Sequence, residues 1–127
     1  MDPNNQKSTL IKSFEYAFSG IFRSLVKERN FQIHLIITFL VVIAGFYFRI
    51  EKMEWVSLLL MIAFVLSLEA INSCIERICD FISPEYNEKI KTIKDVSAGF
   101  VLIAAIIAVV IGCIVFIPYL ISCFNSL

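Results

Sequence analysis

The chain has 127 residues, of which 59% are apolar and only 17% charged, and it carries 12 Phe, 4 Tyr and a single Trp. A soluble domain of this size is nearer half apolar and a quarter charged, so the composition excludes a soluble enzyme, a disordered chain and a collagen-like chain and points to a small integral membrane protein. Its 11 Lys and Arg balance its 11 Asp and Glu, which gives no reason to expect nucleic acid or a basic partner.

Residues 1–9 are polar, and no cleavable signal peptide is expected there. Beyond them Leu10, Ile11, Phe14, Ala17, Phe18, Ile21, Phe22 and Leu25 recur at spacings of one, three and four. That spacing predicts an amphipathic helix, with Lys12, Glu15, Ser19 and Arg23 off the apolar stripe. Basic residues and several Phe suit a helix lying in the membrane interface. The alternative is a helix packed only against the protein's own spans.

Three apolar segments follow, at about 30–48, 55–80 and 96–118. A hydrocarbon core of roughly 30 Å needs about 20 helical residues, so each predicts a transmembrane helix. Lys7, Lys12, Arg23, Lys27 and Arg29 precede the first, and Arg77, at the loop end of the second, joins Lys89, Lys91 and Lys94 before the third. Only Arg49 and Lys52 fall between the first two, and nothing charged follows Asp95. The positive-inside rule then predicts a cytoplasmic N-terminus and an outward C-terminus. Cys74, Cys79, Cys113 and Cys123 form no CxxC pair, and reduced, packed or lipid-facing thiols are expected.

The second span holds the chemistry. Glu69, Asn72, Glu76 and Asp80 are spaced by three, four and four residues, which aligns them on one helix face. With the apolar core starting near Trp55, Glu69 falls about 7 Å inside the boundary, and Glu76 and Asp80 at or beyond it. An interhelical amide contact would account for Asn72 alone, but three acids on one face repel one another in low dielectric. Protonation of Glu69, a divalent cation or a Lys or Arg from the following loop would each relieve them. Magnesium suits the site, because it takes one or two carboxylates and completes its shell with phosphate and water. Glu28, just before the first span, is the expected second carboxylate beside Glu76.

Pro84, Glu85, Tyr86 and Asn87 predict a turn. Lys94 and Asp95 are expected at the N-terminus of the third span, where a cation beside open backbone amides favours phosphate. The chain has only four Gly and no Walker A or GxGxxG run, so nucleotide chemistry would need a different site.

The run Glu69-Ala-Ile-Asn72-Ser-Cys-Ile-Glu76-Arg-Ile-Cys-Asp80 resembles the ExxNxxxExxxD signature of the prokaryotic diacylglycerol kinase and undecaprenol kinase family. Ala17-Phe-Ser-Gly20-Ile, Glu28-Arg-Asn30-Phe31-Gln-Ile-His34 and Lys94-Asp95-Val-Ser-Ala-Gly-Phe-Val-Leu102 resemble its other segments, over about residues 9–117. The resemblance implies an all-α integral membrane protein: one kinase unit over residues 1–127, a surface helix within 1–29, three spans, and a homotrimer with its site shared between neighbours. It also implies transfer of the ATP γ-phosphoryl group to a membrane lipid alcohol, with Mg2+, at the inner membrane of a bacterium. Glu69 is then the general base beside Asn72, and Glu28 and Glu76 are the metal carboxylates. Tyr16, Glu28, Glu76, Asp80, Glu85, Tyr86, Asn87, Lys94 and Asp95 are then the nucleotide and metal contacts. Asn87 replaces a histidine common in the family. The family's amino-terminal cation has no counterpart at Thr9, and Lys12 is the nearest. The Glu-Arg-Asn-Phe-x-Ile-His run favours undecaprenol over diacylglycerol as acceptor.

Two other classes compete. Glu69, Glu76 and His34 resemble pieces of a proton or cation relay, but such a relay needs polar groups across the whole bilayer and the outer halves of the spans are apolar. A non-catalytic assembly subunit needs no aligned acids.

Overall fold

In the computed structural model the backbone is described for residues 3–125, and side chains for 9–22 and 28–125. The side chains of Lys7, Arg23, Leu25 and Lys27, which enter the expected charge bias and apolar stripe, lie outside the described residues. Four helices make up the described chain: α1 (Pro3–Lys27), α2 (Arg29–Phe48), α3 (Lys52–Ile82) and α4 (Glu88–Asn125). No strand occurs among the described residues. The last three helices are long and apolar enough to cross a membrane.

Each break between helices has a local cause. At Glu28 the backbone turns extended, with φ −103° and ψ 108°, and its carbonyl accepts from the Gln32 amide at 3.1 Å to start α2. At the far end of α2, Arg49 takes the left-handed conformation, with φ 52° and ψ 48°. The Arg49 amide donates to the Phe46 carbonyl and the Ile50 amide to the Gly45 carbonyl, at 3.3 and 3.2 Å, the bonding of a Schellman stop. Glu51 then opens α3, and its amide donates to the Glu54 carboxylate at 2.8 Å, one half of a capping box.

Two expected boundaries move. The third span begins at Glu88, so Lys94 and Asp95 lie about two turns inside α4 rather than at its N-terminus. The amides that start α4 belong to residues nearer Asn87, and an anion at Lys94 meets side chains instead of open backbone. The helix also continues through Pro118 to Asn125, beyond the expected end at 118.

The described core sits at the α2–α3 corner. Ile50, Leu58 and Val115 are buried, with Val41, Phe48, Trp55 and Phe116 packed around them. Tyr119 closes this end, donating its hydroxyl to Glu54 at 2.7 Å. By contrast Leu10, Ile11, Phe14, Phe18, Ile21 and Phe22 of α1 are all exposed. The chain's own spans therefore leave this face uncovered. Cys79 is buried and Cys74 and Cys113 are exposed, all three as free thiols.

At Gly45 the Trp55 side chain of α3 packs directly against the backbone of α2. A Cβ there would meet the Trp55 ring at 2.7 Å, and that ring is already packed against Phe46 in a tilted pair, with centroids 4.9 Å apart and an interplanar angle of 53°. Gly45→Ala should therefore destabilise the protein by about 1–3 kcal/mol, as overpacking does. Gly112→Ala, with nothing within 4 Å of the new Cβ, should be neutral or gain up to about 1 kcal/mol of helix propensity. Thermal unfolding in detergent separates the two.

Candidate active site

Burial along the polar face of α3 is graded. Glu69, Asn72 and Ser73 are 2%, 3% and 4% exposed, the buried polar residues among those described. Glu76, two turns on from Glu69, is half-buried, and Asp80 is exposed. The stripe thus runs from a dry end to a wet one.

Each member has partners in reach. The polar groups around Glu69 include Asn30, His34, Glu28 and Glu76, so the first two turns of α2 face the stripe. Asn72 donates its amide to the Glu76 carboxylate at 3.2 Å, while its own side-chain oxygen is buried without a hydrogen-bond partner. Burying an unpartnered carbonyl costs about 1–3 kcal/mol, so a donor or a cation reaching this oxygen would be stabilised there. Arg77 donates from Nη2 and Nε to one oxygen of Glu28, at 2.6 and 3.1 Å. Lys94 donates to Asp80 at 2.9 Å. Of the three expected ways to relieve the stripe's acids, pairing with a cation from beyond the span is realised at Asp80 through Lys94, whereas Arg77, which lies within α3 itself, pairs with Glu28.

A second group of residues surrounds a cleft of about 300 Å³ at the α3–α4 connection. Asp80, Glu85, Tyr86, Asn87, Lys94 and Asp95 all line it, which gathers six of the expected nucleotide contacts. The Lys94–Asp80 bridge ties α4 to the end of α3 here. Tyr16 stands apart, exposed on α1, and lines neither the cleft nor the stripe. Asn87 also shapes the backbone, since its side-chain oxygen accepts from the Lys89 and Ile90 amides at 3.0 and 3.3 Å. That makes it the N-cap of α4.

On the apolar side, a crevice of about 200 Å³ runs between α2, α3 and α4 from His34 to Phe116. Its lining is apolar apart from His34 and Thr38. His34, at one end of the crevice, also lies within electrostatic reach of Glu69.

Among the described residues no three His, Cys, Asp or Glu side chains gather into a metal cage. Such a cage is not what magnesium needs, since it binds through one or two carboxylates and substrate phosphate. The hard oxygens of Glu28 and Glu76 and the unpartnered Asn72 oxygen are chemically suited to it.

The family model for prokaryotic diacylglycerol kinase matches residues 15–116. The chain belongs to the prokaryotic diacylglycerol kinase family. It is 36% identical to the undecaprenol kinase of Bacillus subtilis (strain 168) over 119 residues, which covers 94% of this chain and 97% of that one. To the diacylglycerol kinase of Synechocystis sp. it is 35% identical, covering 89% of this chain and 65% of the relative. For the diacylglycerol kinase of Escherichia coli (strain K12) the figures are 30% identity, 83% and 86%. The protein is a lipid kinase, a phosphotransferase whose family implies ATP as donor and a lipid as acceptor, and the relay and assembly-subunit readings fall away.

Two sets of contacts around these acids are not evident from the sequence. Arg77 reads there only as a loop cation, although it adjoins Glu76 directly. Asn30 and His34 lie near Glu69, and their four-residue spacing over the first two turns of α2 is the available signal. The capping role of Asn87 gives a direct check. Asn87→Ala should lower stability by about 1 kcal/mol, and Asn87→Ser should restore most of it, read from thermal unfolding.

Proposed function

We propose that this kinase phosphorylates undecaprenol at its primary hydroxyl, using ATP and Mg2+, at the cytoplasmic face of a bacterial inner membrane. The observation that carries the reading is the graded burial of α3's acids, from Glu69 at 2% exposure to an exposed Asp80. A water-soluble donor and an oily acceptor must meet across such a gradient.

Phosphoryl transfer needs positioning and charge neutralisation more than covalent help. Glu69 takes the proton of the lipid hydroxyl as its oxygen attacks the γ-phosphorus, and the bond to the β-phosphate oxygen breaks to release ADP. Asn72 positions Glu69 and the phosphate from the same helix face. Glu28 and Glu76 hold Mg2+, which when bound neutralises phosphate charge. Asp80, Glu85, Tyr86, Asn87, Lys94 and Asp95 bind the nucleotide in the cleft beside them, and Tyr16, apart from the cleft on α1, is a nucleotide contact on the family resemblance alone. The apolar crevice ending at His34 offers a lipid chain a route to Glu69.

The exposed apolar face of α1 supports an interfacial helix, and the Lys and Arg bias supports a cytoplasmic N-terminus and an outward C-terminus. Residues 1–127 act as one unit in a homotrimer whose neighbours complete the site, as the family resemblance implies. Undecaprenol is favoured by the likeness to the Bacillus subtilis enzyme along 97% of its length. The second reading is diacylglycerol, favoured by the names of the Synechocystis and Escherichia coli relatives.

Purified protein with radiolabelled ATP, Mg2+ and separate vesicles of the two lipids tests both readings. Label should pass faster to undecaprenol. A preference for diacylglycerol selects the second reading, and label on neither lipid contradicts both.

A further inference from the structure

Glu28 and Arg77 are 49 residues apart in sequence and meet where the start of α2 crosses the polar face of α3. Two donors of one guanidinium converge on a single carboxylate oxygen, Nη2 at 2.6 Å and Nε at 3.1 Å. The Glu28 side chain is 24% exposed and that of Arg77 51%, so the carboxylate is the more enclosed partner and the long cation can swing. Arg77 also follows Glu76 immediately in α3.

We propose that Arg77 is a phosphate-binding residue of the kinase, stored on Glu28 and released to the ATP triphosphate when a divalent cation takes the Glu28 carboxylate. The inference rests on the reading of Glu28 and Glu76 as the metal carboxylates.

Competition follows from the chemistry. A divalent ion at Glu28 and a guanidinium draw on the same small set of carboxylate lone pairs, so each weakens the other. Charge balance gives the exchange its direction. Glu28, Glu69, Glu76 and Asp80 are four acids on or beside one helix face, and the cations paired among them are Arg77 and Lys94. A bare triphosphate entering that field is repelled. Arriving with its metal ion, it brings the charge that replaces Arg77 on Glu28. The freed guanidinium then faces phosphate oxygens whose geometry its planar fork matches, which an ammonium cannot do bidentately. Such storage keeps Glu28 neutralised at the membrane boundary between turnovers, where an unpaired carboxylate is costly.

The test uses purified full-length protein in detergent with the wild type, Arg77→Gln, Arg77→Lys and Glu28→Gln. Mn2+ is titrated without nucleotide and followed by electron paramagnetic resonance, and KM is measured for MgATP and for lipid. Glu28→Gln should weaken Mn2+ binding. Arg77→Gln should tighten it roughly tenfold, the scale of a lost charged hydrogen bond. The same variant should raise KM for MgATP by about tenfold with KM for lipid unchanged, and Arg77→Lys should fall between it and the wild type in both measurements. Wild-type Mn2+ affinity and wild-type MgATP KM in Arg77→Gln would reduce the pair to a surface ion pair of little consequence. Tighter Mn2+ with an unmoved MgATP KM would leave competition but overturn phosphate binding. Undiminished Mn2+ binding in Glu28→Gln would overturn the metal reading itself, and the release of Arg77 with it.

Discussion

Glu69 holds a carboxyl side chain 2% exposed within a helix apolar enough to span a bilayer. On insertion scales an acid at the centre of such a helix costs about 2.5–3.5 kcal/mol, and that cost orders the polar half of the molecule. Polar groups must gather around it, and they come from the first two turns of α2 as Asn30 and His34. The same face must then lead to water within a few turns, which it does through half-buried Glu76 to exposed Asp80. A helix meant only to pack would have no use for either the burial or the gradient. In the proposed mechanism they give one surface that meets an oily hydroxyl at one end and a charged nucleotide at the other.

The apolar half of the chain is what allows the polar half to be open. At the α2–α3 corner, Ile50, Leu58 and Val115 are buried under Phe48, Trp55 and Phe116. Tyr119 of α4 is hydrogen-bonded to Glu54 of α3, and Gly45 leaves the Trp55 ring a space that a Cβ would close. These contacts fix the three spans at one end. At the other end the helices are joined by ion pairs, Arg77 to Glu28 and Lys94 to Asp80. Ion pairs near water are weak and exchangeable, a property suited to a site that must admit and release a charged ligand.

Much of this is legible in the sequence because it depends on short-range periodicity. Span number follows from apolar run length, and the alignment of Glu69, Asn72, Glu76 and Asp80 follows from 3.6-residue spacing. The start of α4 is harder to place because Lys89, Lys91 and Lys94 look like a basic loop. The deciding signal is Asn87, whose side chain caps Lys89 and Ile90, and Asn is as common in turns as at caps. The Arg77–Glu28 pair depends on how α2 crosses α3, and no local pattern encodes a crossing. Family resemblance alone groups Glu85, Tyr86, Asn87, Lys94 and Asp95, and they do line one cleft with Asp80. Tyr16 lies outside it on α1.

In the proposed mechanism Glu69 is buried in order to react. A general base in hydrogen-bond reach of a hydroxyl contributes about 10²–10⁴-fold to the rate, whereas a carboxylate kept only for packing contributes nothing to it and loses buried charge on conversion to the amide. Glu69→Gln, measured for both lipid-phosphorylation rate and melting temperature, separates the two. The mechanism predicts a rate lower by about 10²–10⁴-fold with nucleotide affinity little changed. An unchanged rate together with a higher melting temperature would make Glu69 a packing residue and contradict the mechanism.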